Sequence, residues 1–231
     1  MIYLTHAVYP YQNSDDERRR KRAHRSWLDL PDDGPPLAFM PIAQPPHRHL
    51  RITELLDAAC HVATEADIIA YANSDAGLTV GALQRITEGV KRGRGVTVCP
   101  RRSIVHPGPE IIYDDLHDFP TDAGVDLVAC SPWWWLAEGR KMPPMYVGRG
   151  GWDMIFTLIA QIWADGKPEK EPLDRSTEAL LSSRAVTDGV CWHEPHRPQW
   201  IDQKDCAEQL ENVRLAVEFC EKIGNPDRVF C

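Results

Sequence analysis

The stretch that most constrains this 231-residue chain is DIIAYANSD (67–75), an apolar run closed by Asn73, Ser74 and Asp75. A compact apolar run bounded by polar residues is the pattern of a strand buried on both faces, and such strands belong to parallel sheets covered by helices. Its flanks agree. Leu50, Ile52, Leu55, Leu56, Ala59 and Val62 repeat at helical spacing before it, and LTVGALQRITEGVKRG (78–93) reads as an amphipathic helix after it. GVTVCP (95–100) reads as the next strand. Alternating strands and helices predict an α/β fold, with a mostly parallel central sheet and helices on both faces.

The remaining segments extend the pattern. IYLTHAVY (2–9) is a strand by composition, and a helix from Ser14 to about Leu28 starts at the capping-box spacing of Ser14 and Glu17. LAFMPI, among prolines, reads as a short strand, and IIY (111–113) as an edge strand. DLVACS (126–131) reads as a further buried strand, 151–164 as an apolar helix, and RAVTDGVCWH (184–193) as holding a last strand. A C-terminal helix, about 204–224, stops at Gly224 and Pro226 and is expected to pack on a single domain spanning 1–231.

Composition narrows the function classes. A formal charge of -8 counts against a surface devoted to nucleic acid or anionic lipid. No apolar run reaches a membrane span, and MIYLTHAVYP lacks the layout of a signal peptide. Seven cysteines, an odd set with no C-x-x-C spacing, read as reduced thiols in the cytoplasm, with Cys60, Cys99, Cys130 and Cys220 inside apolar segments.

Three clusters carry candidate chemistry. Asn73 and Asp75, two apart on an extended segment beyond a strand, can offer oxygens to a hard cation; equally, Asn-Ser-Asp is a turn in which Asp75 caps the next helix. In VCWHEPHRPQW (190–200), His193 and His196 are three apart and supply one or two metal ligands, while Trp192, Arg197 and Trp200 suit a sugar or base pocket. The structural reading is a loop with partly buried imidazoles, its geometry fixed by Pro195 and Pro198. In MYVGRGGWDMIF (145–156), glycines allow close backbone approach, and Asp153 at a helix start is either a general base or a simple helix-start carboxylate.

Two further features bear on ligands. Trp133, Trp134 and Trp135 cannot all face one core if extended, which leaves at least one ring for a cleft or the surface. The basic run RRRKRAHR (18–25) is either a solvated helix face or a phosphate-capturing one.

In order, these pieces resemble the glycosyltransferase A-type (GT-A) fold family over roughly residues 1–200. THAVYP resembles the family's first strand, which leads to the nucleotide base and implicates His6, Val8 and Tyr9 in substrate binding. DIIAYANSD resembles the strand bearing the D-x-D metal and diphosphate motif, with Asn73 in place of the first acid and Ser74 beside it. DLVACSPWWWL followed by VGRGGWD resembles the acceptor-side segment, implicating Trp134, Gly150 and Trp152, with Asp153 as the base of an inverting reaction. The late histidine loop resembles the C-terminal metal ligand, so Asp75, His193 and His196 form the implied metal set.

The resemblance implies sugar transfer, hexosyl or pentosyl, from a nucleoside-diphosphate sugar to an acceptor hydroxyl with help from Mn²⁺ or Mg²⁺. The acceptor is open. A non-catalytic nucleotide-sugar-binding module, and a DNA-base-modifying transferase using helix 18–25, are the alternatives. Nucleotidyltransferases are disfavoured, because YPYQNSDDE stands where their Gly-rich loop follows the first strand.

Overall fold

The computed structural model describes the chain except for residues 32–33, 46–47, 106–112, 114–115, 117–118, 167–176, 197–205 and 225–231; of residues 122 and 123 only the backbone is described. Among the described residues, seven strands form one sheet: β1 (Ile2–Val8), β2 (Leu37–Ala43), β3 (Ile68–Ala72), β4 (Ala76–Leu78), β5 (Val96–Ser103), β6 (Thr121–Cys130) and β7 (Cys191–His193), in the order β2-β1-β3-β6-β5-β7-β4. β2, β1, β3, β5 and β7 run one way, while β6 and β4 run the other.

The sheet is therefore mixed rather than purely parallel: most of its strands share one sense, and the pairings of β6 and β4 are antiparallel. The 126–131 strand is antiparallel to both its neighbours. A strand buried on both faces needs the same apolar composition in either direction, so its residues do not fix its sense. The edge strand expected at 111–113 falls outside the described residues except for Tyr113, which is in no strand.

Each face of the sheet carries its own core. On one, α2 (Ile52–Val62), α4 (Pro132–Ala137), α5 (Trp152–Asp165) and α7 (Ala207–Lys222) pack against Ile69, Val98 and Val128. On the other, α1 (Ser14–Leu28) and α3 (Ala82–Arg92) pack against Leu4, Ala70 and Leu127. A short α6 (Thr177–Ser182) packs Leu180 and Leu181 against the edge of the first core. Strand alternation divides the residues between the cores: Ile2 and Leu4 belong to the second, Ala7 to the first.

Local chemistry explains several starts. Asn13, not Ser14, caps α1, its Oδ1 accepting from the Asp16 amide at 2.9 Å. Ser131 caps α4 and Pro132 follows at its first turn, so the tryptophan triplet is helical rather than extended. Trp134 and Trp135 are consequently fully buried, and only Trp133 is exposed. The 78–93 helix begins later, at Ala82, because Ala76–Leu78 is spent on β4. Of the cysteines expected to be buried, Cys60 is half-buried; Cys191 joins Cys99, Cys130 and Cys220 in the interior.

Candidate functional site

Ligands of open α/β sheets gather beyond the carboxyl ends of the strands, and here a cleft of about 740 Å³ opens at that rim. It is lined by Tyr9 after β1, Asn73, Ser74 and Asp75 after β3, His193 and His196 from the β7 end, and Gly150, Trp152 and Asp153 at the start of α5.

The turn after β3 and the end of β7 are joined by a short antiparallel ladder, Ala76↔His193, Gly77↔Trp192 and Leu78↔Cys191. Gly77 is required there: a Cβ at that position would lie 2.0 Å from the Trp192 ring. The ladder sets His193 beside Asp75. Asp75 Oδ2 lies 2.8 Å from His196 Nε2 and 3.5 Å from His193 Nε2, and the two imidazole centroids are 4.9 Å apart. Burial works to raise the Asp75 carboxyl, but the bonds and charges of His193 and His196 outweigh it and hold its pKa well below the usual range. Burial pulls His193 down; the Asp75 bond and the charges of Asp126 and Asp75 leave it raised.

One ligand atom from each of Asp75, His193 and His196 lies within 4.8 Å of the others. His193 Nδ1 is buried and has no hydrogen-bond partner among the described residues. A carboxylate with two imidazoles is a donor set that first-row divalent ions take, so the residues fit such an ion.

Glu194, buried between the two histidines in sequence, is gripped by α1: Arg22 Nη1 donates to Oε1 at 3.0 Å and Arg18 approaches Oε2 at 3.5 Å. The basic run is otherwise self-neutralised. Arg18, Arg19, Arg20, Lys21, Arg22 and Arg25 each have a carboxylate within 4.0 Å. It is a clamp and a surface of ion-paired basic residues, with Arg18, Lys21 and Arg25 still exposed.

Asn73 does not stand beside Asp75 on an extended segment. Residues 73–76 form a turn closed by the Ala76 amide on the Asn73 carbonyl at 3.0 Å. The Asn73 side chain is engaged elsewhere: Tyr71 Oη donates to its Oδ1 at 2.9 Å, and its Nδ2 donates to Asp126 Oδ1 at 2.6 Å. Nor does Asp75 cap a helix, since β4 follows it.

Asp153 faces the same cleft near the start of α5, behind Gly151 with φ 102°. Burial raises its pKa, the Met154 and Val125 amides pull it down, Asp126 raises it and Arg101 lowers it, and the net is upward. Tyr9 carries the Arg20 guanidinium over its ring at 3.9 Å, with Ser74 Oγ 3.4 Å from its hydroxyl.

Three expected site residues lie elsewhere. Trp134 is in the core, tilted against Phe156 at 5.7 Å, because the capped helix turns it inward. His6 is buried against His24 and Trp27 on the α1 face; burial, then the charge of His24, lowers its pKa to about 4. Val8 is exposed outside the cleft. Arg197 and Trp200 lie outside the described residues.

Sequence reasoning passed over Arg101, Asp126, Arg149 and Gln209, which also line the cleft. Asp126 is buried on β6, with Arg101 Nη1 at 3.4 Å from Oδ1 and with Oδ2 unpartnered. A charge inside an apolar strand run, as in GVDLVAC, was the available signal for it. Arg101 follows a ladder irregularity at Pro100, a residue that leaves a strand no amide to donate.

No protein-family model matches the chain, and no curated protein matches it in sequence. Among solved structures, S. aureus TarS 1-349 resembles it with TM-score 0.47 and 8% identity, over 94% of this chain and 70% of that one. The same segment in complex with UDP-GlcNAc gives TM-score 0.47 and 8% identity, over 94% and 71%. A mannose-6-phosphate isomerase from Helicobacter pylori gives 0.40 and 10%, over 84% and 96%. Likeness this distant carries no argument about activity.

Proposed function

We propose that the chain is a GT-A-like glycosyltransferase, moving a sugar from a nucleoside-diphosphate donor to an acceptor hydroxyl. The observation that carries this reading is one cleft holding two kinds of carboxylate: Asp75 bound to two imidazoles at one side, and Asp153 with a raised pKa at the other. Pairs of carboxyls whose environments push them apart divide into charge-stabilising and proton-transferring roles.

Asp75, His193 and His196 would hold a divalent ion, which supplies neutralisation of the charge that develops on a departing diphosphate. Two imidazoles favour Mn²⁺ over Mg²⁺, which prefers oxygen donors. Asp153 accepts the proton of the acceptor hydroxyl as its oxygen attacks the sugar carbon, the step of an inverting reaction. Tyr9, Ser74, Gly150 and Trp152 supply walls for donor and acceptor, with Trp152 set edge-on to Tyr71 at 5.2 Å.

The chain is to be incubated with sugar nucleotides and Mn²⁺, and released nucleoside diphosphate measured. Asp75→Ala is expected to abolish metal-dependent donor turnover; unchanged turnover would sink the reading. Metal-dependent nucleotide binding in the wild type without turnover of any donor or acceptor would instead support a non-catalytic binding module.

A further inference from the structure

The cleft has a second wall that the reading above does not use. Arg149, in the glycine loop before α5, lines it and is 6% exposed. Its guanidinium makes two short-range contacts: Nη1 donates to the Gly148 carbonyl at 3.2 Å, and Nη2 lies 2.7 Å from His49 Nε2. Nε is buried and has no hydrogen-bond partner among the described residues. Among the described residues no carboxylate lies within 4.0 Å of this guanidinium, whereas Arg101, the other arginine of the cleft, is paired with Asp126.

A buried cation without a counter-charge is costly, and native proteins rarely keep one unless something supplies the charge. Among the described residues no acid touches it: burial and then Arg149 itself lower the His49 pKa, and the nearby Glu208 acts on Arg149 through space, without contact. The loop is also held in place rather than left to collapse: Gln209 Oε1 accepts from the Gly150 amide at 2.9 Å, and Asn212 Oδ1 from the Tyr146 amide at 2.8 Å, so α7 pins both ends of the segment. Gly148, with φ +71°, has no atom within 4 Å of where a Cβ would stand, so space is open beside the arginine.

We propose that Arg149 is the centre of a second subsite in the cleft, one that takes an anionic oxygen group of the phosphoryl class. Its planar fork matches the oxygens of such a group side by side, and the ligand brings the contacting negative charge that no described carboxylate supplies. The subsite deepens the transferase reading and rests on it only for the origin of the group: the donor's own diphosphate, or a phosphate carried by the acceptor.

The test is the melting temperature of the full chain against inorganic phosphate, at constant ionic strength and with EDTA present so that no metal contributes. Wild type is expected to be stabilised in a saturable way. Arg149→Gln is expected to weaken the apparent affinity by about tenfold or more, the loss of hydrogen bonds to a charged group. Arg149→Lys, which keeps a point charge, covers the case in which the Gln variant fails to fold; it is expected to bind several-fold more weakly. No saturable response in wild type, or equal affinities in wild type and either variant, would overturn the subsite.

Asp75→Asn is expected to leave the phosphate response in place. If the wild type itself shows neither metal binding nor sugar transfer while its phosphate response persists, the transferase reading falls and the subsite stands. A saturating nucleoside diphosphate then separates the two origins. Displaced phosphate assigns the site to the donor, and phosphate bound alongside assigns it to the acceptor.

Discussion

Asp75 and Asp153 face one cleft and share one functional group, yet their surroundings push them in opposite directions. Asp75 sits on a turn pinned by the β4–β7 ladder, with two imidazoles on one of its oxygens. Asp153 sits at the start of a helix, where burial is the largest influence and the neighbouring Asp126 adds to it. The first is kept ionised by its partners, and the second is primed to take a proton. The difference teaches that the cleft is sorted by partnership rather than by residue type: one side has its charges matched, and the other leaves Asp126 Oδ2 and Arg149 Nε without partners.

The contrast can be broken most sharply at Asp153. Asp153→Asn is expected to lower the single-turnover transfer rate by about 10²–10⁴-fold, the usual worth of a positioned base, while leaving the Mn²⁺ isotherm as in wild type. Loss of metal binding in that variant would mean the two sides are not separate.

A smaller effect is expected at Glu194, which touches no ligand but is held by Arg18 and Arg22 on α1. Glu194→Gln is expected to weaken Mn²⁺ binding by about tenfold, as outer-sphere substitutions commonly do, with Glu194→Asp recovering part of it by titration calorimetry. An isotherm identical to wild type would show that the clamp does not position the histidines.

The smallest effect concerns stability against pH. Because the Asp153 pKa is raised in the folded chain from its ordinary 3.8, the folded state binds more protons than the unfolded one above that value. Its contribution therefore favours folding at low pH and falls as pH rises from about 3.8 through the raised folded value. Urea unfolding across that window is expected to show a shallower fall in Asp153→Asn than in wild type. Parallel curves would remove the claim that this carboxyl is pushed upward.

The sequence exposed the apolar strands, the amphipathic helices, and the segments that meet at the cleft. DIIAYANSD, the VCWHEP loop and VGRGGWD each carry a pattern that is local, and local patterns survive without knowledge of the fold. What it hid was mostly non-local. The reversed sense of β6 depends on its neighbours. The inward turn of Trp134 came from the Ser131–Pro132 start, a local signal outweighed by expecting an extended triplet. His6 looked like a base-binding residue until strand parity put it under α1. Arg149 sat inside a motif already noticed for its glycines, and only burial without a contacting carboxylate among the described residues marks it out.

The ladder between Gly77 and Trp192 has one more consequence. Both ligand-bearing segments are rungs of the same two short strands, so the gap between Asp75 and His193 is inherited from strand register. Slipping that register by one residue would turn His193 to the opposite face of the sheet. The two segments are thus fixed in length as well as at Gly77, and a single inserted residue would cost the site more than most substitutions within it.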